Sequence, residues 1–294
     1  MGASLVSVVI ATYNRNESLC RTINCWLRQH DSNFEIIVVD QSREHDPETR
    51  SFLDSVSGRI RYFFVDRPNL PAARNFGVTQ SIGDIVLFCD DDMDIPPDVV
   101  TKIAKRYASD PAISGVTGVM FDVGSEAVPD PVDRIEPTTT FAGGFMSFRG
   151  EVIEAAGFFD EWLGSLPHGA GEDFEFTYRV SRRFTLIRDR NIVVCHLGNH
   201  LSGGCERLGI RSRGAAKLDT SEADMFAGMY AYWKNRRRGI SGLVEAFWLS
   251  YHGYVLNYEL LARGFDGGWK RHVCFGRVMR RLLKKPWRQA HASC

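Results

Sequence analysis

The feature that most constrains this chain is an apolar run over residues 85–89 that continues directly into Asp90, Asp91 and Asp92. A short apolar run of this kind predicts a β-strand buried on both faces. The three carboxylates would then lie at the carboxyl end of that strand, where open α/β sheets bind ligands. Their mutual repulsion is most simply offset by a divalent cation, because hard carboxylate oxygens suit Mg²⁺ or Mn²⁺. The alternative is a solvated acidic turn that only ends the strand.

Strand and helix patterns alternate over the first ninety residues. Apolar, β-branched runs predict strands over 5–11, 34–40, 60–65 and 85–89, and helical spacing predicts helices over 17–29, within 42–57 and from 72 onward. This alternation predicts a parallel sheet with right-handed crossovers, whose strand ends share one rim suited to a nucleotide. The first strand is not followed by Gly-x-Gly-x-x-Gly or a P-loop, which argues against a dinucleotide-binding domain.

Composition adds limits on compartment and partners. The 294 residues carry no formal net charge, so no overall basicity indicates a nucleic-acid partner. Seven cysteines without a C-x-x-C pair favour buried thiols in a reducing compartment over a disulfide scaffold or zinc knuckle. No signal-peptide pattern opens the sequence, so we expect a cytoplasmic protein, with the inner face of the membrane as the alternative location.

Four motifs together resemble a known family. They are the runs over residues 8–15 and 36–40, the Ala-Arg-Asn-x-Gly pattern over 73–77, and Phe-x-Asp-Asp-Asp over 88–92. In this order they resemble the nucleotide-binding half of family 2 glycosyltransferases, and a Gly-x-Phe-Asp-Glu turn over 157–161 extends the resemblance. It covers roughly residues 5 to 200 and implies the GT-A fold, a Rossmann-like, mostly parallel α/β sheet flanked by helices, here with a helical C-terminal extension.

The resemblance implies a set of residues that bind a nucleotide-diphosphate sugar: Thr12, Tyr13, Asn14, Arg15, Asp40, Arg74, Asp90, Asp91, Gly143 and Gly144. Within this set, Thr12 and Tyr13 would line the base pocket, and Asp40 would accept a hydrogen bond from the base. Arg74 would lie near the base or the diphosphate. Family members often continue the second strand with Asp-Asp-Gly-Ser, but here Asp40 is followed by Gln41 and Ser42, so the base is not predicted.

A metal site is implied at the aspartate cluster, with Asp92 and Asp90 as ligands to Mn²⁺ or Mg²⁺ and Asp91 able to share either task. A late strand from residue 192 runs into His196, which would complete the site, with His200 in reserve. A histidine at a strand end is more often an ordinary polar residue, and that alternative stays open. Residues 202–204 suggest a loop that closes over the diphosphate.

The catalytic residues are expected at Glu172 and Asp173. Apolar spacing after them predicts a helix, and carboxylates in a first helical turn are already explained by the helix dipole. The family's Glu-Asp motif implies that Asp173 is the general base, which takes the proton of an acceptor hydroxyl while the donor sugar inverts. The paired glycines Gly143 and Gly144 would let a strand approach the donor sugar, with a β-bulge or tight packing contact as the alternative.

From residue 221 the chain is aromatic and basic, and helices are predicted over 223–233, within 240–262 and over 267–287. After Asp266 there is no acidic residue, and the last helix is amphipathic and basic. A helix of this kind is typical of proteins that bind membrane surfaces. The alternative, which the sequence favours equally, is a solvated basic helix that packs on an acidic part of the protein. We therefore expect a catalytic domain over 1–212, with halves 1–124 and 125–212, and a helical region over 213–294.

The function predicted is metal-dependent, inverting transfer of a sugar to a carbohydrate or lipid-linked acceptor in glycoconjugate synthesis. A sugar nucleotidyltransferase is the alternative enzyme, but it needs a Gly-rich loop with Arg and Lys after the first strand, which this sequence lacks. A non-catalytic sugar-nucleotide-binding module is the third candidate. The Glu172–Asp173 pair speaks against it, because binding alone requires no base.

Overall fold

A computed structural model describes residues 4–125, 127–165, 171–198, 221–254 and 265–284. The chain divides into two compact units, residues 1–211 and 212–294. Each unit is described by itself. The reserve ligand His200 and the proposed loop over 202–204 lie outside the described residues.

The first unit is built on a mixed β-sheet. Its strands are β1 (Val6–Thr12), β2 (Phe34–Asp40), β3 (Arg61–Phe64), β4 (Ile85–Asp90), β5 (Met93–Asp94), β6 (Ile113–Asp122), β7 (Ile135–Pro137), β8 (Phe145–Arg149) and β9 (Thr185–His196). The order is β3-β2-β1-β4-β8-β6-β9-β5, and β7 pairs with β9. The strands β3, β2, β1 and β4 are parallel, as predicted, whereas β8 joins β4 and β6 in antiparallel pairing. This confirms a mixed sheet with a parallel first half.

The helices of the first unit are α1 (Glu17–Leu27), α2 (Pro47–Ser55), α3 (Leu70–Gln80), α4 (Val99–Ser109), α5 (Gly150–Ala156), α6 (Glu161–Gly164) and α7 (Glu172–Ser181). Local sequence explains two of the starts. Asp46 caps α2 by accepting a hydrogen bond from the Thr49 N–H at 2.7 Å, and proline occupies the first turn. Asn69 caps α3 by accepting from the Ala72 N–H at 3.0 Å, so this helix begins two residues before the predicted start.

Both faces of the sheet are covered, as the apolar runs predict. In β1 every residue is buried, and alternate side chains enter different core clusters, Val8 and Ile10 on one face and Val9 and Ala11 on the other. Full burial of one aliphatic side chain contributes about 1.5–3 kcal/mol, so the sheet is anchored from both sides. The carboxyl ends of the strands are thereby fixed in position.

Helix α3 lies unusually close to β1. A Cβ added at Gly77 would stand 2.2 Å from Val9 Cγ1, so no larger residue fits there without movement. The same helix carries Arg74 and Asn75 one turn earlier. The Asn75 amide donates to the Phe159 carbonyl and to Glu161 at 3.0 Å each, so it ties the Phe-Asp-Glu turn to α3. The Ala-Arg-Asn-x-Gly pattern therefore fixes α3 between β1 and this turn.

The described part of the second unit consists of α8 (Ser221–Lys234), α9 (Ile240–Tyr254) and α10 (Phe265–Lys284). Within the residues described, no helix combines the length and apolar character needed to cross a membrane. Helix α10 covers most of the basic amphipathic stretch predicted over 267–287.

Candidate active site

The rim formed by β1, β2 and β4 holds the predicted residues in register. Thr12 lies opposite Asp40 in the β1–β2 pairing, and Ala11 lies opposite Asp90 in the β1–β4 pairing. The three strands therefore end at the same level of the sheet. Their terminal side chains reach one edge, which is the edge where open α/β sheets bind ligands.

Asp91 is held by the end of β1. Its Oδ2 atom accepts a hydrogen bond from the Thr12 hydroxyl at 2.5 Å, and the Arg15 guanidinium lies 3.9 Å from its other oxygen. Burial raises the pKa of Asp91 to about 7, although Arg15 and Thr12 oppose the rise. Asp91 therefore acts as a link between the first and fourth strands.

Asp92 meets His196 on the far side of the cluster. Because β5 pairs with β9 so that Met93 lies opposite His196, the imidazole Nε2 stands 3.4 Å from Asp92 Oδ1. Its Nδ1 stands 2.9 Å from an Asp122 oxygen, and Arg15 donates to the second Asp92 oxygen at 3.0 Å. The hydrogen bond to Asp92, opposed by burial, helps raise the pKa of His196 to about 9.

The implied metal ligands are only partly assembled. Asp92 and His196 converge, and a carboxylate beside an imidazole is a donor pair that suits Mn²⁺. The Asp90 carboxylate is instead engaged by Arg74. Within the described ranges, no group of three or more His, Cys, Asp and Glu side chains is arranged to hold a metal ion. Of the three predicted ligands, Asp92 and His196 are therefore placed so that they could bind a cation together, and Asp90 is not.

Arg74 joins the aspartate cluster to the predicted catalytic acids. Its Nη2 atom donates to Asp90 Oδ1 at 2.9 Å and to the Gly143 carbonyl at 3.0 Å. Its Nη1 atom donates to Glu172 Oε1 at 2.8 Å. The guanidinium is almost completely buried and lies over the Phe159 ring. Arg74 therefore connects the two parts of the predicted site, the aspartate cluster and the start of α7. Arg74 and Glu172 are 98 positions apart in the sequence.

The two carboxylates at the start of α7 have different surroundings. Glu172 is 5% exposed, and burial together with the Asp173 charge raises its pKa to about 7 against the opposing charge of Arg74. Asp173 is half-buried, and its Oδ2 atom accepts a hydrogen bond from the Gly143 N–H at 2.8 Å. Asp173 is thus the more accessible of the pair.

Gly143 and Gly144 stand where a side chain would pack tightly against residues of the site. A Cβ at Gly143 would lie 3.1 Å from both Arg74 Nη2 and Asp173 Oδ2. A Cβ at Gly144 would lie 3.3 Å from Asp90 Oδ2. The structure therefore shows a tight packing contact with protein side chains, the alternative given for this pair, and the approach of the backbone to a donor sugar stays a prediction.

Asp40 is turned into a buried cluster of protein groups. Its side chain is fully buried, with His45 Nε2 at 2.5 Å and the Tyr62 hydroxyl donating at 2.8 Å to the same oxygen. The other oxygen accepts from the Ser42 N–H at 2.6 Å. Burial and the hydrogen bond to Asp40 raise the pKa of Tyr62. Both oxygens of the Asp40 carboxylate are therefore in contact with hydrogen-bonding groups of the protein itself.

Two predicted residues lie at the turn after β1. Asn14 is exposed, adopts φ of 53°, and donates its N–H to the Ser42 hydroxyl at 2.7 Å. Asparagine tolerates this left-handed conformation better than most residues. Tyr13 is half-buried beside it. The turn after β1 is therefore tied to the turn after β2, close to Asp40.

Comparison with known proteins places this chain in a family. A family model described as Glycosyl transferase family 2 matches residues 7–159, slightly more than half of the chain. The chain belongs to glycosyl transferase family 2. The matched segment contains the aspartate cluster, Arg74 and the glycine pair, so these contacts lie inside the family domain.

The curated relatives match only in part. The glycosyltransferase YwdF of Bacillus subtilis (strain 168), itself uncharacterized, is 32% identical over 101 residues, which cover 34% of this chain and 37% of that protein. The chain spans well under half the length of the first curated relatives it matches.

Solved structures agree with the fold over nearly the whole chain. S. aureus TarS 1–349 in complex with UDP-GlcNAc superposes with a TM-score of 0.60 at 15% identity, covering 93% of this chain and 81% of that chain. The mannosyltransferase PcManGT from Pyrobaculum calidifontis, in complex with GDP-Man and Mn²⁺, gives 0.60 at 15% identity, with 97% and 77% covered. These likenesses confirm the predicted GT-A fold of this family 2 domain.

Several partners in the site were not predicted from the sequence. Asp122, His45 and Tyr62 contact predicted residues but belong to no motif. A weak signal existed for Asp122, because it directly follows an apolar segment over 113–121, just as an acid ends β2 and β4. No comparable signal marked His45 or Tyr62, since their contacts depend on how α2 and β3 pack.

Proposed function

We propose that this family 2 domain transfers a sugar from a nucleoside-diphosphate donor to an acceptor hydroxyl with inversion at the anomeric carbon. The observation that carries the proposal is the contact of Arg74 with both Asp90 and Glu172. It brings the aspartate cluster and the first turn of α7 into one site. Groups that act on the leaving diphosphate and groups that act on the attacking hydroxyl would then lie on either side of a single sugar residue. An in-line displacement requires this arrangement.

Asp173 is the proposed general base. Glu172 is buried and held by Arg74, whereas Asp173 is half-buried and faces Gly143. A hydrogen bond from the Gly143 N–H fixes the direction of the Asp173 carboxylate without using all of its lone pairs. A fixed carboxylate within hydrogen-bond reach of the acceptor hydroxyl would take its proton during attack. No covalent enzyme intermediate is needed.

Asp92 and His196, with Asp90, would hold a Mn²⁺ or Mg²⁺ ion. When bound, such an ion would supply charge stabilisation for the departing nucleoside diphosphate. His196 would bind the ion as the neutral imidazole, because a metal-ligating histidine must give up its proton, and the Asp92 and Asp122 carboxylates on either side of it would balance the charge of the cation. The mannosyltransferase relative of known structure, which was solved with GDP-Man and Mn²⁺, supports this use of the site.

The proposed division of labour follows the chain. Residues 1–212 would form the catalytic domain, with 1–124 binding the nucleotide and 125–212 providing the base. The basic α10 would contact a membrane surface, which suits a lipid-linked acceptor better than a free carbohydrate. The base pocket would be lined by Thr12, Tyr13 and Asn14. Asp40 would contribute to the pocket indirectly, through the residues that contact its carboxylate.

Turnover with purified protein tests the proposal. The measurement is release of nucleoside diphosphate from a panel of sugar nucleotides with Mn²⁺, for wild type, Asp173→Asn and a Glu151→Gln control. Glu151 is an exposed carboxylate in the first turn of α5, away from the contacts of the site. Loss of transfer in Asp173→Asn alone is expected, by roughly 10²-fold or more. Full activity of that variant would refute the base assignment.

Stereochemistry provides the second test. Proton NMR of the first product formed distinguishes inversion from retention at the anomeric carbon. Inversion is expected, because the site offers one proposed base and no nucleophile is required. A retained configuration would contradict the single-displacement mechanism even if Asp173 proved essential.

A further inference from the structure

Helix α9 presents its large apolar side chains outward. The exposed side chains recur at helical spacing and are Ile240 (81% exposed), Leu243 (42%), Val244 (62%), Phe247 (45%) and Trp248 (57%). We call these five residues the α9 stripe. Positions separated by three, four, seven and eight residues lie on one face of a helix, so the stripe is continuous.

The opposite face of α9 is small and buried. Gly242, Ala246 and Ser250 are buried at a spacing of four residues, and the Ser250 hydroxyl donates to the Ala246 carbonyl at 2.6 Å. The usual arrangement of an amphipathic helix, with large apolar residues inside and small or polar residues outside, is therefore reversed. The stripe is an exposed apolar surface of a kind that marks an interaction site.

Positive charge is concentrated in the part of the chain that carries the stripe. Arg237 and Arg238 are exposed and directly precede α9. Residues 225–294 contain thirteen Lys and Arg against three Asp and Glu, a formal charge of +10, in a chain whose total is zero. Helix α10 lies next to the stripe, since the Phe275 ring packs edge-to-face on Phe247 at 5.9 Å, and α10 carries the exposed Arg277 and Arg280.

We propose that the α9 stripe inserts into the interface of an anionic lipid bilayer, with the neighbouring arginines on the headgroups. Interfacial helices of this kind combine a face of Trp, Phe and Leu with Lys and Arg around it. The size of the stripe also favours lipid over a second copy of the chain. Fifteen residues of helix extend roughly 22 Å, which gives far less area than the about 800 Å² per partner of a stable protein interface.

The experiment is co-sedimentation of the full chain with vesicles of phosphatidylcholine alone or mixed with phosphatidylglycerol. Wild type should bind the anionic vesicles and lose binding as salt rises, because headgroup attraction is screened. Val244→Ser with Trp248→Ser should weaken binding roughly tenfold or more, since both side chains leave water on insertion. The matched control is Ile82→Ser with Val128→Ser, which are 72% and 64% exposed in the first unit.

Charge is tested separately. Arg237→Glu with Arg238→Glu should weaken binding to anionic vesicles and reduce its salt dependence. Lys105→Glu with Arg50→Glu reverses two exposed charges in the first unit and should leave binding unchanged. In wild type, Trp248 should contribute a blue shift of tryptophan fluorescence on vesicle addition, and Trp248→Phe should reduce that shift.

Three results would overturn the proposal. The first is unchanged vesicle binding in the stripe variant. The second is a change of that variant's mass in light scattering without lipid, which would make a second copy the occupant. The third is a fall of its melting temperature well beyond that of the Ile82→Ser, Val128→Ser control, which would place the stripe inside the fold. All readouts are of binding or folding, so failure of the proposed transfer reaction would leave this test intact.

Discussion

At the scale of single residues, Arg74 determines how the site is held together. It is buried and makes hydrogen bonds to two carboxylates and to the Gly143 carbonyl. A buried cation is costly unless it is fully paired, and the same holds for the carboxylates it serves. Its removal therefore affects both ends of the site at once.

We expect Arg74→Met to lower the free energy of unfolding by about 3–5 kcal/mol, because Glu172 and Asp90 would lose their shared partner. Urea denaturation followed by circular dichroism measures the change. Arg43→Met is the control: Arg43 pairs with Asp66 at 3.0 Å with both side chains mostly exposed, so its loss should cost at most about 1 kcal/mol. Equal effects of the two substitutions would show that Arg74 is not a central contact.

Glu172 should make stability depend on pH. Burial and Asp173 raise its pKa to about 7 in the folded chain, so the native state holds a proton that the unfolded state releases above about pH 4.5. Its contribution is fully present below that value and is lost as pH rises through about 7, with a slope of at most about 1.4 kcal/mol per pH unit. The groups facing it are Arg74, Asp173 and Asp90.

The corresponding variant is Glu172→Gln. Urea unfolding from about pH 5 to about pH 8 should show a flatter pH dependence for Glu172→Gln than for wild type. The baseline stability of the variant also changes, because the Arg74 ion pair is lost, so the slope and not the midpoint is compared. Identical slopes would mean that Glu172 is ionised throughout this range.

Sequence motifs predicted which of these residues belong to the site but not their partners. Thr12, Arg74 and Asp92 each belong to a short sequence motif that can be recognised from its residues and their spacing. The contact of His196 with Asp122 joins residues 74 positions apart, and that of Tyr62 with Asp40 joins residues 22 positions apart. Such pairs follow from sheet order and helix packing, which no local pattern records.

At the scale of elements, the strands that were predicted best are those with the simplest chemistry. The strands β1, β2 and β4 agree with prediction within one residue, because they are apolar and β-branched and end at polar turns. The start of β9 was predicted at 192 but lies at Thr185. The charged segment Arg188–Arg190 interrupts the apolar pattern, so the first half of this strand was not recognised in the sequence. Leu186 and Ile187 are nevertheless buried and pair with β6.

The contact of α3 with β1 gives a prediction at this scale. Gly77→Ala should lower the free energy of unfolding by about 1–3 kcal/mol, because the new methyl group would meet Val9 at 2.2 Å in a packed core. Gly58→Ala is the control, since a Cβ there would have no neighbour within 4 Å. The comparison is made by thermal and urea unfolding. A stable Gly77→Ala protein would show that α3 can move away from β1 at little cost.

At the scale of the whole molecule, ligand binding should couple to folding. A ligand that binds only the native state stabilises it by about 2.7 kcal/mol at one hundred times its dissociation constant. We therefore expect a sugar nucleotide accepted as donor, together with Mn²⁺, to raise the melting temperature of the chain. The part of this rise that depends on Mn²⁺ should require His196, whose imidazole faces Asp92.

The comparison that isolates this effect is His196→Ala against His30→Ala, with and without Mn²⁺, at fixed nucleotide concentration. His30 is exposed in the connection between α1 and β2, so its loss removes a histidine without altering the site. The shift caused by Mn²⁺ should disappear in His196→Ala and persist in His30→Ala. Persistence in both would remove His196 from the metal site. Asp90 would then have to turn from Arg74 to complete the metal site with Asp92, and Arg74→Met would strengthen Mn²⁺ binding.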